Sequence, residues 1–271
     1  MTVERPIKVS VIIPCFNASA WIAETVESVV AQTLREFEVV LVEDGSTDDT
    51  RSVIVRLIAQ YSDHAMRLLL QDDVGLAAAR NHGISAARGR YILPLDADDQ
   101  IAPTMLQACA DALDDQPDTA IVFTDRQDFG ELQGCHAAGR YELARLKYFN
   151  QISYCSLYRR EVWEAIGGYR VNVNGFDDWD FWVAAAVRGF RGHHLPQPLH
   201  RHRRRGGSFL MRIADDYERL FATIILNNRE AYSETEIAAA SRYLTSGQPA
   251  GLLQWSKRIF RERFPLPREA S

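Results

Sequence analysis

The 271-residue chain lacks any run approaching the ~18 consecutive apolar residues that a membrane-spanning helix needs. Its opening stretch, Met1 to Lys8, carries Glu4 and Arg5 and has no separate apolar segment, so no signal peptide is expected. Cysteine is scarce: Cys15, Cys109, Cys135 and Cys155 stand far apart, with no C-x-x-C pair and no structural-zinc spacing. They are expected to remain free thiols, which excludes a disulfide scaffold. Both common phosphate loops are also missing, G-x-x-x-x-G-K and G-x-G-x-x-G. A nucleotide bound here would be held differently from that of a P-loop enzyme or a dinucleotide dehydrogenase. There is no internal repeat and no low-complexity tract.

The composition that remains is that of a globular protein, 46% apolar and 25% charged, with a formal charge of −5. The length suits one large domain or two small ones. Mild acidity argues against a general nucleic-acid binder, and no nucleic-acid partner is expected. The charge is unevenly spread, however. Between Asp180 and Asp215 there is no carboxylate, while six arginines up to Arg205 and four of the seven histidines fall in that interval.

Through residue 125 the chain alternates. Ile7–Ile13, Phe37–Glu43, Arg67–Gln71, Tyr91–Leu95 and Ala120–Thr124 are short, nearly continuous apolar runs, the habit of strands buried on both faces of a parallel sheet. Between them Ile22, Val26, Val29 and Val30 repeat at helical spacing, with Asn17 or Ser19 as N-cap. Val53, Leu57 and Ile58 do the same after Ser46-Thr47-Asp48. Leu76–Arg88 and Pro103–Asp114 complete the helices of this half, the latter with proline in its first turn. This rhythm predicts an α/β fold with right-handed crossovers and ligands beyond the C-terminal strand ends. After Asp125 it breaks. Residues 126–150 read as loop, and Ile152–Tyr158 and Arg160–Ile166 as a strand and a helix. Phe176–Trp182 is an aromatic segment, and the pattern from Ile213 to Pro265 is helical. Three segments are expected: 1–125, 126–212 as the second half of the same domain, and a helical extension over 213–271.

Polar groups gather where the strands end: Pro14-Cys15-Phe16-Asn17, Glu43-Asp44-Gly45-Ser46 and Asp96-Ala97-Asp98-Asp99. An Asp-x-Asp pair directly after a buried strand suits a hard divalent cation, Mn²⁺ or Mg²⁺, which takes one or two carboxylates plus phosphate oxygens. The competing reading has Asp98-Asp99 capping the next helix. Asp44 can accept a hydrogen bond from a ring imide N–H such as that of uracil, or cap the helix beginning near Asp48. Arg80 can contact a donor, or pair on the surface with Asp72 or Asp73.

Four motifs, Ser10-Val-Ile-Ile-Pro-Cys-Phe-Asn17, Val42-Glu-Asp-Gly-Ser-Thr-Asp-Asp-Thr50, Gly75-Leu-Ala-Ala-Ala-Arg-Asn81 and Arg88-Gly-Arg-Tyr-Ile-Leu-Pro-Leu-Asp-Ala-Asp-Asp99, together resemble glycosyltransferase family 2. Gly175-Phe-Asp-Asp-Trp-Asp-Phe-Trp182 is similar to that family's acidic acceptor-side motif, with Asp177 where Glu is usual, and Gly167-Gly-Tyr169 to the approach to it. The resemblance implies a GT-A fold, a Rossmann-like and mostly parallel sheet flanked by helices, here with a C-terminal helical extension. It implies an inverting, metal-dependent transfer of sugar from a nucleotide-diphospho-sugar to an acceptor hydroxyl.

The same resemblance makes Asp44 the base reader, hence UDP-sugar the expected donor, with Pro14, Phe16, Asn17 and Gly45 around it and Arg80 and Asp96 on the donor. Asp98 is then the direct metal ligand, with Asp96 on ribose or on metal-bound water. Asp178 is the general base, with Asp177 as the alternative. An inverting attack needs such a carboxylate, and neighbouring acids buried among aromatics raise one another's pKa. The run His200-Arg-His-Arg-Arg-Arg205-Gly-Gly-Ser208 offers guanidinium groups for the leaving diphosphate, Arg205 among them, on a loop able to bend. His202, at the family's usual Tyr position, is a further metal candidate, against the reading of an ordinary exposed histidine. In the tail, Leu252, Trp255, Ile259, Phe260 and Phe264 share one helical face, ringed by Lys257, Arg258, Arg261 and Arg263. Such a face either docks on a membrane interface or packs on protein. The expected role is a cytoplasmic enzyme, peripheral on the membrane through 252–264, using a glycan or lipid-linked acceptor in bacterial polysaccharide, lipopolysaccharide or cell-wall synthesis. The alternatives are a sugar-nucleotide nucleotidyltransferase and a non-catalytic nucleotide- or carbohydrate-binding protein on the same scaffold.

Overall fold

The structure, a computed structural model, describes residues 6–173, 175–205 and 216–247, with Gly251 and Gln254 besides. Its strands are β1 (Val9–Cys15), β2 (Phe37–Asp44), β3 (Ala65–Gln71), β4 (Tyr91–Pro94), β5 (Gln100–Ile101), β6 (Thr119–Gly130), β7 (Gly134–His136), β8 (Leu157–Arg159) and β9 (Arg191–Arg204). The helices are α1 (Ile22–Val30), α2 (Thr50–Gln60), α3 (Leu76–Ala86), α4 (Met105–Asp115), α5 (Leu143–Leu146), α6 (Arg160–Ile166), α7 (Asp177–Val187), α8 (Tyr217–Asn227) and α9 (Glu234–Ser246). Among the described residues the strands form one sheet in the order β3-β2-β1-β4-β8-β6-β9-β5, with β7 added to β6.

β1 lies between β2 and β4, parallel to both, as near-continuous apolar runs require. Alternate residues of β1 serve opposite faces. Val9, Val11, Ile13 and Cys15 join the core under α1, α2 and α4, whereas Ile12 joins the core under α3, α6 and α7. The small-residue stretch of α3 brings that helix close to the sheet. A Cβ on Gly83 would lie 2.5 Å from Ile12 Cγ2 and 3.0 Å from Val42 Cγ2, both in buried side chains.

The first half follows the sequence pattern, with local differences, among them the short strand β5, which no apolar run marked. β1 begins two residues later than expected and passes through Pro14 to Cys15. Neither Asn17 nor Ser19 caps α1. The N-cap position is Trp21, while Asn17 adopts a left-handed conformation (φ 49°) and its Oδ1 accepts from Thr47 N at 2.9 Å, tying the loops after β1 and β2 together. Asp99 does not cap α4, which starts after Thr104; it points into the protein instead.

The second half departs further. β6 runs unbroken through residue 125, so the segments on either side share one sheet. The strand expected over 152–158 is confined to Leu157–Arg159. β9 was not visible in the sequence, because Pro196 and Pro198 break its pattern. It nonetheless runs parallel to β6, with a register shift between Thr124 and Arg126 that absorbs the irregularity. At the C-terminal end the helical pattern divides into α8 and α9, the latter opened by a capping box of Ser233 and Glu236. The start of that pattern at Ile213, the Gly206-Gly207-Ser208 turn and the 252–264 face lie outside the described residues. No helix of the described residues is long and apolar enough to cross a membrane.

Gly83 sets two effects against each other. Alanine favours a helix interior by about 1 kcal/mol, but overpacking a filled core costs about 1–3 kcal/mol. Gly83→Ala is expected to destabilise the protein by about 1 kcal/mol in urea unfolding. Stabilisation would show that α3 does not rest on the sheet this closely.

Candidate active site

The ends of β1, β2 and β4, the start of α7 and the far portions of β6 and β9 enclose a cleft of about 930 Å³. Pro14, Phe16, Asn17 and Asp44 line one end, and Phe16 is 49% exposed, an unspent aromatic face at the rim. Asp44 is buried, and its carboxylate accepts from Gln71 Nε2 (2.7 Å), Val74 N (3.1 Å) and Gly75 N (3.0 Å). The helix whose start it secures is therefore α3, not α2. Gly45 (φ 74°) turns the chain where a Cβ would sit 2.8 Å from Asp73 N, so its contribution is the backbone path beside Asp44.

The acidic corner lies deeper. Arg80 is buried, and it pairs with neither Asp72 nor Asp73. One guanidinium nitrogen meets Asp96 at 2.8 Å and another meets Asp177 at 2.5 Å. Tyr154 and Tyr169 flank the cation, with ring centroids at 5.1 and 5.7 Å. Arg80 Nε is buried without a partner. Its neighbour Asn81 acts locally: Oδ1 accepts from Trp163 Nε1 and Tyr169 N, and Nδ2 donates to Tyr169 O. The Arg-Asn pair thus places a charge in the cleft and clamps the Gly167–Tyr169 turn beside it.

Burial pushes Asp96 up to about 7, with Asp99 and Asp98 adding repulsion against the pull of Arg80. Burial and Asp99 raise Asp98 as well. Arg205 pairs with Asp98 at 2.9 Å. Asp99 behaves differently. Burial opposes its ionisation, yet His202 and hydrogen bonds from His200 and Tyr154 hold it below the usual range. His200 Nε2 lies 2.9 Å from Asp99 Oδ2, and its Nδ1 lies 2.9 Å from Ser153 Oγ. Burial lowers His200, against the upward pull of Asp99. Asp99 is a structural anchor beneath the corner, and it also accepts from Arg203 N at 2.7 Å.

Asp96 and Asp98 therefore form an oxygen-only, charge-rich pair that a hard cation would relieve. Among the described residues no group of three His, Cys, Asp or Glu is arranged to hold a metal. A cation here would complete its coordination with oxygens beyond those of the described residues. His202 turns its Nδ1 to Asp128 at 3.3 Å, and its charge also acts on Asp98 and Asp99.

At the start of α7 the three acids divide. Asp177 is buried, with one oxygen bound to Arg80 and the other accepting from Gly175 N (3.2 Å). Asp180 faces away and takes Arg170, Asn227 and Asn228. Asp178 lines the cleft. Its Oδ2 accepts from Asn150 Nδ2 at 2.9 Å, and burial together with the Asp177 charge pushes it up to about 6. Of the two candidate bases, Asp177 is tied to a cation, whereas Asp178 meets neutral donors, Asn150 and the Trp179 N–H.

Within the basic run, Arg201 bonds Gln100 at 2.7 Å, and Arg203 bonds Glu24 at 2.6 Å and the Asp98 carbonyl at 2.8 Å. Arg205 alone in the run reaches a carboxylate of the acidic pair. Several cleft residues had no signal in the sequence: Trp21, over which Arg203 and Arg205 lie; Tyr154 and Asn150; and Arg126, Asp128 and His136. All lie outside the quoted motifs: Trp21 just before the repeat of α1, Tyr154 within the strand expected over 152–158, and the others in the 126–150 stretch read as loop.

With this geometry in view, comparisons with known proteins agree. Residues 10–171 match Glycosyl transferase family 2. The chain is 28% identical over 212 residues to the putative glycosyltransferase EpsE of Bacillus subtilis, covering 76% of each. It is 27% identical over 193 residues to a chondroitin synthase of Escherichia coli, covering 69% of this chain but 28% of that longer protein. It is 40% identical over 114 residues to the uncharacterized glycosyltransferase YibD of E. coli, 42% of this chain and 33% of that one. Among solved structures, S. aureus TarS in complex with UDP-GlcNAc is similar with a TM-score of 0.69 at 20% identity, over 97% of this chain and 77% of that one. The mannosyltransferase PcManGT from Pyrobaculum calidifontis in complex with GDP-Man and Mn²⁺ gives 0.67 at 21%, over 94% and 73%. These structural likenesses establish the fold.

Removing Arg80 exposes what it holds. Arg80→Met leaves buried Asp177 and partly exposed Asp96 without their shared cation, and the uncompensated charge at Asp177 costs about 3–5 kcal/mol. The orphaned acids then have raised pKa values, so the penalty is full above those values and shrinks as they protonate. Urea titrations of both proteins at pH 8 and pH 5.5 should show a stability gap that narrows at the lower pH. A gap independent of pH would mean that packing, not charge, is what Arg80 contributes.

Proposed function

The chain belongs to glycosyltransferase family 2 and has the GT-A fold, and from that premise we propose that it is an inverting transferase moving sugar from a UDP-sugar to an acceptor hydroxyl. The observation that carries this reading is Asp178, a carboxylate pushed up to about 6, facing the cleft that also holds Asp96 and Asp98.

The residues then divide the work. Phe16 and Pro14 wall the nucleobase. A carboxylate offers about four acceptor sites; three at Asp44 are filled by Gln71, Val74 and Gly75, leaving one for the imide N–H of uracil. Cytosine presents an acceptor there and is disfavoured. A bound Mn²⁺ or Mg²⁺, held by Asp98 with Asp96, would supply Lewis-acid neutralisation of the leaving diphosphate; the Mn²⁺ complex of the PcManGT structure supports a divalent metal. Arg205, already at this corner, is the side chain for the remaining phosphate charge. Asp178 accepts the proton of the attacking hydroxyl. With a pKa near 6 it is ionised at neutral pH yet basic enough to be useful, and Asn150 holds its carboxylate in place. Arg80, paired with Asp177, offsets part of the charge that Asp177 imposes on the base.

The segments 1–125, 126–212 and 213–271 are read as donor half, acceptor half and helical extension. The likeness to a chondroitin synthase supports a glycan or lipid-linked glycan acceptor, in bacterial polysaccharide, lipopolysaccharide or cell-wall synthesis. The 252–264 face is proposed to dock on the cytoplasmic leaflet, where such acceptors are anchored. Flotation with anionic liposomes should be lost in a Trp255→Glu, Phe260→Glu variant, and a wild type that fails to float ends that part of the reading.

Two measurements test the catalytic reading. Thermal stabilisation by UDP should require Mn²⁺ and disappear in Asp98→Ala. Asp178→Asn should keep that stabilisation while transfer falls by about 10²–10⁴-fold. Because the base must be ionised, wild-type turnover should decline as pH falls through about 6. Unchanged turnover in Asp178→Asn, or a flat profile between pH 5 and 8, places the base elsewhere.

A further inference from the structure

A second charged feature shares the cleft, built across three adjacent strands. β7 pairs with β6 so that His136 stands opposite Arg126. β9 pairs with β6 so that His202 stands opposite Asp128 and Arg204 opposite Gly130. Because side chains alternate along a strand, Arg126, Asp128, His136, His202 and Arg204 all project from one face. Asp128 lies at the centre, with Arg126 at 2.7 Å, His136 at 3.0 Å, His202 at 3.3 Å and Arg204 at 3.9 Å. Burial opposes its ionisation, but these partners hold it well below the usual carboxylate range.

The arrangement is unbalanced in charge and in depth. Two guanidinium groups face one carboxylate, leaving positive charge even with both imidazoles neutral. The carboxylate side chain is 6% exposed, while those of Arg126, Arg204 and His136 are 20–50% exposed. All five residues line the cleft. A carboxylate serving only to tie strands together would not need four cationic or proton-bearing partners turned toward open space. Asp128 instead fixes their orientation, while their remaining N–H groups are free to converge on a ligand. Guanidinium forks and imidazole N–H groups match the oxygens of phosphate or carboxylate.

We propose that this plate is an acceptor subsite for an oxyanion, so that the acceptor carries a phosphate or a carboxylate close to the hydroxyl it presents. The inference rests on the transferase reading above, because it assigns the β6–β7 side of the cleft to the acceptor. It adds what that reading leaves open, the charge class of the acceptor. Arg205, paired with Asp98, serves the donor; Arg126 and His136, on β6 and β7, serve the acceptor.

The test separates the two readings. Binding of UDP with Mn²⁺ is measured first by calorimetry. The UDP-saturated protein is then titrated with methyl phosphate, methyl β-glucuronide and neutral methyl β-glucoside while the His136 imidazole signals are followed by NMR. The expected result is a saturable shift with one or both anions, none with the glucoside, and at least a tenfold weaker response in Arg126→Gln. Preference for phosphate identifies a phosphorylated acceptor, and preference for glucuronide a uronate-bearing glycan. His136→Gln, a half-exposed site where folding is not at stake, should weaken the same binding when it is read by calorimetry. If UDP binds and neither anion moves His136, or the glucoside moves it equally, the subsite is overturned while the donor reading stands. If the anions bind without any UDP binding, the subsite stands and the donor reading fails.

Discussion

The structure turns on one buried cation. Arg80 sits between Asp96, at the end of β4, and Asp177, at the start of α7, with tyrosine rings on two sides. Those carboxylates belong to segments eighty residues apart on the chain, one from the regular first half and one from the irregular second. Asp177 alone at that depth would be costly. Sharing one guanidinium makes both tolerable and fixes the distance between the acidic pair and Asp178. The small residues of α3 allow this: a helix lying so close to β1 and β2 delivers Arg80 at the strand ends rather than above them.

From that bridge outward, the cleft is organised by how each carboxylate is compensated. Asp99 is satisfied by His200, Tyr154 and a backbone N–H and becomes architecture. Asp177 is neutralised by Arg80, and Asp180 by Arg170 and two asparagines. Asp96, Asp98 and Asp178 are left under-compensated, and all three have raised pKa values. Under-compensation at adjoining points of a cleft is what a site for cation binding and proton removal requires. Across the same cleft the imbalance reverses, where Asp128 is outnumbered by its basic neighbours. One cleft thus carries an acidic corner and a basic side, although the net charge of the chain is only −5.

Neighbouring residues of identical type have been given different tasks by depth and direction alone. Asp177, Asp178 and Asp180 occupy one helical turn and look in three directions. Asp98 and Asp99 are adjacent, yet one opens to the cleft and meets Arg205, while the other anchors β9 through the Arg203 backbone. In the run from 201 to 205, Arg203 serves as mortar between Trp21, Phe129 and Glu24, and Arg205 reaches the acidic pair.

The sequence by itself determined the first half and the identity of its acids. Apolar runs separated by helical repeats leave little choice but a parallel sheet, and polar strand ends then mark the ligand rim. The motifs around Asp44, Arg80, Asp98 and Asp178 pointed to one family. Local pattern could not decide which carboxylate of a cluster is consumed by packing, because that depends on cations brought in by distant segments. Nor could it reveal β9, whose prolines hide a strand that pairing with β6 and β5 sustains. The basic plate is invisible for the same reason. Arg126, His136, His202 and Arg204 share a face only once three strands are in register, and register is set by long-range hydrogen bonding and core packing rather than by the residues themselves.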